Sequence, residues 1–335
     1  MERRTIGELD GSAIEEVVLS TPEGARASII TIGATVRDLK VPLRDGSLRR
    51  VVLGFQDVDS YRDNPCYIGV TAGRCCNRID GGRFTLDGKT YQLALNNNGT
   101  LHLHGGDKGF SRSNWTIAEA GDDFVTLTLT SPDGDDGYPG KVEATCRYQL
   151  KSPATLSIEM TATTDAATPI NLTNHAYFNL DEGSSSHDHW LEIDAELYTP
   201  SLPSLIPTGE ILKVEGTPYD FRAMRRIGGA GVGYDTNWVL GGTRGEMQEV
   251  ARLSSPKRDL DLVVATDQPG ILMYDGSTLL QAGEGLDGQK HVPHAALCLE
   301  TQHFVNSVNT RHFPSVVLRP GETYRHRCDY RFEAK

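Results

Sequence analysis

Apolar and polar residues alternate with a period of two along much of this chain. Residues 124–129 (Phe-Val-Thr-Leu-Thr-Leu) alternate cleanly, residues 142–150 do so after a Gly/Asp/Pro-rich turn, and residues 156–162 repeat the pattern. Successive side chains on a strand point to opposite faces, so each run predicts a strand with one buried face. Three such runs in succession predict an antiparallel meander. Residues 84–86 and 91–93 flank Asp87-Gly88, a pair suited to a tight hairpin turn. Residues 315–318 and 324–332 flank Arg319-Pro320-Gly321-Glu322, another turn.

Helical signals are few. Only the stretch 221–227 has room for two turns before Gly228-Gly229 would end it. No repeat of 20–50 residues is present, and no low-complexity linker divides the chain. The glycine-rich stretch 241–245 reads as a loop. The expectation is an all-β protein, a large antiparallel β-sandwich in which residues 1–335 form a single domain.

Composition narrows the function. With 33 Lys plus Arg against 45 Asp plus Glu, the net charge is −12, a field that repels a phosphate backbone and argues against nucleic acid as a partner. The opening MERRTIGELDG has no apolar stretch after its arginines, and no run approaches the ~18 apolar residues of a membrane helix. The cysteines Cys66, Cys75, Cys76, Cys146, Cys298 and Cys328 fit neither a zinc motif nor a disulfide framework. Buried free thiols and a cytoplasmic location are expected.

Several strings look chemical but have plain explanations. His102 and His104, two apart, would share a strand face, yet no third metal ligand is evident; His187 and His189 are the nearest echo. Asp133-Gly134-Asp135-Asp136 opens like a calcium loop but has Gly137 and Ala144 where ligands are needed. Ser254-Ser255-Pro256-Lys257 lacks the companion strings of acyl-enzymes, and residues 228–233 lack the strand–helix context of a dinucleotide site.

An ordered set of strings is more informative. They are Gly73-Arg74-Cys75-Cys76-Asn77-Arg78-Ile79, His102-Leu103-His104-Gly105-Gly106, Asp136-Gly137-Tyr138-Pro139-Gly140 and the stretch 171–180 around Asn174-His175-Ala176. Gly233-Tyr234-Asp235-Thr236-Asn237, Thr266-Asp267-Gln268-Pro269-Gly270 and Cys298-Leu299-Glu300-Thr301-Gln302-His303 follow, before the turn at 319–322. In this order the set resembles the galactose mutarotase (aldose 1-epimerase) family over residues 30 to 330 or so.

The resemblance implies a β-sandwich with a sugar cleft that needs neither cofactor nor metal, and a monosaccharide as substrate of a monomer or homodimer away from any membrane. Carried over by position, His175 corresponds to the general acid and Glu300 to the general base. Asn77, Arg78, His104, Asp235 and Gln268 fall where the family contacts sugar oxygens. Cys75-Cys76 is a departure, since the family has small or aromatic residues there.

The chemistry suits these residue types. Exchanging anomers requires opening the hemiacetal, so the C1 hydroxyl loses a proton while the ring oxygen gains one. An acid and a base must therefore act on neighbouring oxygens. A neighbouring carboxylate, Glu300 or Asp235, is expected to hold His175 protonated. Arg78 suits charge stabilisation, and Tyr177, Phe178 and Trp238 are candidates to face the apolar side of a pyranose.

By residue type alone, each position has a structural alternative. His175 could be a satisfied core histidine, Glu300 a member of a buried salt bridge, Arg78 a surface arginine and Asp235 a turn residue. Within a predicted strand, Cys298, Glu300 and Gln302 should share one face and Leu299 the other. The competing functions are a hexose-6-phosphate 1-epimerase, for which Arg222, Arg225 and Arg226 could supply a basic patch, and a non-catalytic sugar-binding protein.

Overall fold

Antiparallel pairing organises the molecule. The structure, a computed structural model, describes residues 1–243 and 245–335. The predicted meander forms one wing of a nine-stranded sheet. Its strands run in the order Thr116–Ala120, Phe124–Ser131, Val142–Lys151, Thr155–Thr164, Tyr324–Ala334, Leu260–Thr266, Gln248–Ser254, Trp190–Ile193 and Arg225–Arg226. Strict alternation of buried and exposed positions along Val142–Lys151 and Thr155–Thr164 leaves one face dry.

Two further sheets cover that face. Five consecutive strands between Glu2 and Arg50 form the first. The second has six strands, ordered Tyr177–Phe178, Leu297–Gln302, Gly270–Tyr274, Asp235–Val239, Leu197–Thr199 and Leu212–Lys213. A single apolar cluster joins all three: Cys146, Ile158 and Tyr330 from the nine-stranded sheet, Ile29 and Val36 from the five-stranded one, and Ile271, Met273 and Leu299 from the six-stranded one. This is the β-sandwich that the alternation predicts.

The Asp87-Gly88 hairpin is present. Arg83–Leu86 pairs with Lys89–Gln92, and both turn residues have positive φ (50° and 80°), the geometry that matches strand twist. The turn at 319–322 is also present, closed by Glu322 N–H donating to Arg319 O. The strand before it, Val317–Leu318, pairs with Thr168–Pro169 instead of with its sequence neighbour.

The helical expectation for 221–227 fails. Phe221 is fully buried in the core against Trp238 and Tyr234, and Arg225–Arg226 pairs as a strand with Trp190 and Leu191. Burying the Phe221 ring and adding an edge to the sheet outweigh a helical preference worth only tenths of a kcal/mol per residue. The 241–245 stretch is described except at position 244. All six cysteines are free thiols, five of them buried. Among the described residues no helix is long and apolar enough to cross a membrane.

Candidate active site

The strand Leu297–Gln302 is buried on both faces. Leu297 and Leu299 point into the sandwich core, whereas Cys298, Glu300 and Gln302 take the opposite face, as the alternation requires. Glu300 lies at the base of a cleft of ≈ 580 Å³, within the range of small-molecule sites.

His175 reaches the same cleft from the link between Thr173–Asn174 and Tyr177–Phe178. Its backbone is locked by hydrogen bonds to Val70 and Gly69. Its Nε2 lies 3.7 Å from Glu300 Oε1, and its Nδ1 lies 3.4 Å from Cys298 Sγ. Glu300 Oε2 is buried and has no hydrogen-bond partner among the described residues, which leaves it for a bound molecule.

The opposite wall comes from two loops. Gly105 packs so closely on Gly73 that a Cβ there would sit 1.7 Å from the Gly73 carbonyl oxygen. This contact brings His104 beside Asn77, and both adopt the left-handed backbone region (φ 48° and 56°). Such strain is held in place by surrounding bonds. Asn77 N–H donates to His104 Nδ1 at 3.1 Å, and His104 N–H donates to Asn77 O at 3.0 Å. The first bond fixes the His104 tautomer: Nδ1 accepts, so Nε2 carries the proton.

Arg78 follows on the next strand and pairs with Asp235, Nη1 to Oδ2, at 3.3 Å. Asp235 is the first residue of the strand Asp235–Val239; it is not the turn residue that a glycine-rich context suggests.

The structure thus brings together Asn77, Arg78, His104, His175, Asp235 and Glu300. It does not bring Gln268 there. Asp235 pairs with Tyr274 and Val239 with Gly270, so the turn carrying Gln268 lies at the far end of the strand, about 13 Å along it. Gln268 Nε2 donates to Asp267 Oδ1 and to Arg325 O. Gln268→Ala is therefore expected to change kcat/KM by less than about twofold, as read from mutarotation rates over a range of sugar concentrations.

Of the three aromatic candidates, Tyr177 lines the cleft, while Phe178 and Trp238 are in the core. Sequence reasoning missed Tyr67, Tyr234 and Tyr274, all on the cleft wall. Tyr67 lies with its ring centroid 4.5 Å from that of His104 and 6.2 Å from that of His175. Its positive φ of 55° has no signature in Pro65-Cys66-Tyr67. Tyr234 and Tyr274 were legible in principle, since each neighbours a residue already singled out or its cross-strand partner.

The remaining motif residues support this wall. His102 Nδ1 donates to Ala94 O at 2.8 Å and its Nε2 accepts from Tyr138 Oη at 2.7 Å, so it is not half of a metal pair with His104. Cys75 packs in a small apolar cluster with Tyr138, and Cys76 Sγ donates to Gln302 Oε1 at 2.9 Å. Both thiols brace the loop from behind.

Burial sets the electrostatics. It raises the Glu300 pKa well above the usual carboxylate range, helped by the Asp235 charge and opposed by Arg78. It pushes His175 down to about 4, and the positive Arg78 adds to this. The expectation of a protonated His175 is therefore overturned. Desolvation outweighs the neighbouring carboxylate, and the pair's proton rests on Glu300. Burial also lowers His104, with His175 and Arg78 adding to it, and raises Asp235, against the pull of Arg78. His175, Cys298 and Glu300 offer donor atoms within 4.8 Å of one another, and burial favours the uncharged form of each.

A model of the aldose 1-epimerase family matches residues 15–331. The chain is 39% identical to the galactose mutarotase of Bos taurus, over 97% of this chain and 95% of that protein. It is 34% identical to the aldose 1-epimerase of Escherichia coli K12, covering 97% of each. The solved structure of a GalM/aldose epimerase homologue from C. elegans superposes with a TM-score of 0.91 at 30% identity, covering 96% of this chain and 99% of that one. Matched by the family model and by these relatives along nearly the whole sequence, the chain belongs to the aldose 1-epimerase family.

Proposed function

We propose that this chain interconverts the α and β anomers of free aldoses such as galactose and glucose, with His175 as general acid and Glu300 as general base. The observation that carries the reading is the placement of these two groups 3.7 Å apart, at the base of a cleft whose other walls offer hydroxyl partners. Ring opening moves the C1 hydroxyl proton to Glu300 while His175 delivers one to the ring oxygen. Rotation about the C1–C2 bond presents the other carbonyl face, and closure returns both protons. The pair holds one proton before and after, so the cycle alternates between its two tautomers. Burial favours the neutral tautomer, so the charged one, with His175 protonated and Glu300 ionised, is the minor form from which opening starts.

His104, with its proton fixed on Nε2, donates to a sugar oxygen. Asp235 accepts from a hydroxyl, and Arg78 stabilises negative charge that develops on oxygen. Asn77 contributes its amide to the same wall. The cleft is complete within one chain, which supports action as a monomer or homodimer, and residues 1–335 act as a single domain. The acidic surface and free thiols support a cytoplasmic enzyme without nucleic-acid or membrane partners.

A hexose 6-phosphate is a poor fit. Arg78, the one cation among the described lining residues, is already paired with Asp235. Arg222 and Arg226 are engaged by Asp220 and Asp188, and Arg225 lies over the Phe221 ring. A non-catalytic sugar-binding protein would gain nothing from a buried acid–base pair.

Polarimetry on freshly dissolved α-D-galactose and α-D-glucose tests the proposal. Faster approach to the same final rotation is expected with purified protein, and no acceleration with either sugar would overturn it.

The active form of the free enzyme carries one proton on the pair. As pH falls through about 4, His175 takes up a second proton; as pH rises through the elevated Glu300 value, the last one leaves. The expected pH profile of kcat/KM is a broad plateau with loss on both sides. A plateau that ends on its acid side at neutral pH would contradict this assignment.

A further inference from the structure

Outside the cleft, three side chains converge on one point. His187 lies within the short turn Ser186–Asp188, Asp275 follows the strand Gly270–Tyr274, and His294 precedes the strand that carries Glu300. Their donor atoms all lie within 4.8 Å of one another. His187 Nε2 is 3.2 Å and His294 Nδ1 is 3.7 Å from Asp275 Oδ2. The two imidazole rings lie with centroids 4.0 Å apart. We propose that His187, Asp275 and His294 form a binding site for a borderline divalent cation, Zn²⁺ in the first instance, with one coordination position left to solvent.

Ligand type and spacing both fit. Two imidazoles and one carboxylate are a common zinc set, and tetrahedral bonds of about 2.0–2.1 Å place ligand atoms about 3.3 Å apart. The observed separations bracket that value. Asp275 is fully buried, whereas the His187 and His294 side chains are 34% and 31% exposed. The anionic ligand is thus fixed in the protein while the histidines face an entry path. His294 also borders a cavity of ≈ 410 Å³.

The carboxylate is oriented by further bonds, as metal ligands usually are. Oδ1 accepts from Ser277 N–H at 3.0 Å and Oδ2 from Tyr234 N–H at 3.2 Å. Without metal, His187 Nε2 faces Asp275 Oδ2, and His294 Nδ1 lies 3.2 Å from the Asp275 carbonyl oxygen. A cation takes the lone pairs of both nitrogens, with each imidazole neutral and its proton on the other nitrogen. His189 is not a member: it is bonded to Leu180 N–H and Ser185 O.

Such an ion would tie the turn 186–188 to the segments after Gly270–Tyr274 and before Leu297–Gln302, without entering the cleft. The test is calorimetric titration of chelator-treated full-length protein with ZnCl₂ at neutral pH. One saturable site per chain is expected, at least ~10-fold weaker in both His187→Ala and His294→Ala, with a matching loss of the zinc-induced rise in Tm. Both histidines are partly exposed and outside the cleft, so both variants should fold and retain metal-free mutarotation. Absence of saturable binding, or parental affinity in both variants, would overturn the proposal. The readout is independent of the sugar chemistry, so it can fail while the mutarotase reading stands.

Discussion

Glu300→Gln lowers turnover by about 10²-fold or more, and so does His175→Asn, while both proteins keep the parental melting behaviour. The asymmetry between activity and stability follows from burial. Burial favours the protonated form of Glu300, so a glutamine of the same shape replaces a neutral acid with a neutral amide. It introduces no new buried charge and removes no ion pair on which the fold depends. What it removes is the capacity to take the C1 hydroxyl proton. His175→Asn likewise deletes proton exchange at Nε2 and leaves the backbone bonds to Val70 and Gly69 intact. Because the two groups share one proton, the double variant should lose little more than the worse single one. Initial rates by polarimetry, paired with thermal melts, check this; undiminished turnover in either variant removes that residue from its role.

The second large effect is on stability. Arg74 is 2% exposed, and its guanidinium donates to Ser131 Oγ and to the carbonyls of Ser131, Pro132, Pro139 and Gly140, at 2.6–3.0 Å. One side chain therefore satisfies five acceptors and clamps the 131–140 segment beneath the Asn77–Arg78 loop. Arg74→Ala strands those acceptors away from water and leaves a cavity, at a cost of about 3–5 kcal/mol. Arg74→Lys recovers only part, because a point charge with three donors cannot reproduce the planar fork. Urea unfolding with fixed m-value measures it, and an unshifted midpoint would refute it.

Arg74 also illustrates what the sequence could and could not reveal. The string Gly73-Arg74-Cys75-Cys76-Asn77-Arg78 mixes three duties: Arg74 builds a loop, the cysteines pack behind it, and Asn77 with Arg78 line the cleft. Only pairing in three dimensions separates them. Strands with one wet face were legible at 124–131, 142–151 and 155–164 because their alternation is local. The five-stranded N-terminal sheet was harder, since Arg26–Ile30 is buried along nearly its whole length and carries little alternation. Gln268 was misplaced because a motif gives order along the chain, whereas the cleft is set by register: the cross-strand neighbour of Glu300 is Leu272. The 221–227 stretch misled because the decisive term, burial of Phe221 against Trp238, is not local. His175 and Glu300 were found through their strings, but their charge states required the depth of burial.

The double-sided burial of Leu297–Gln302 divides the labour of evolution in this architecture. Any change to Leu297 or Leu299 that shifts the sandwich core also shifts the base, so the reaction is anchored to the part of the protein least free to vary. The opposite wall is anchored differently: Tyr67, Asn77 and His104 are buried residues on connections held by the Gly73–Gly105 contact and the Arg74 clamp. Under the proposed function, a change in sugar fit comes through exchange of side chains on that wall, with both frameworks left in place.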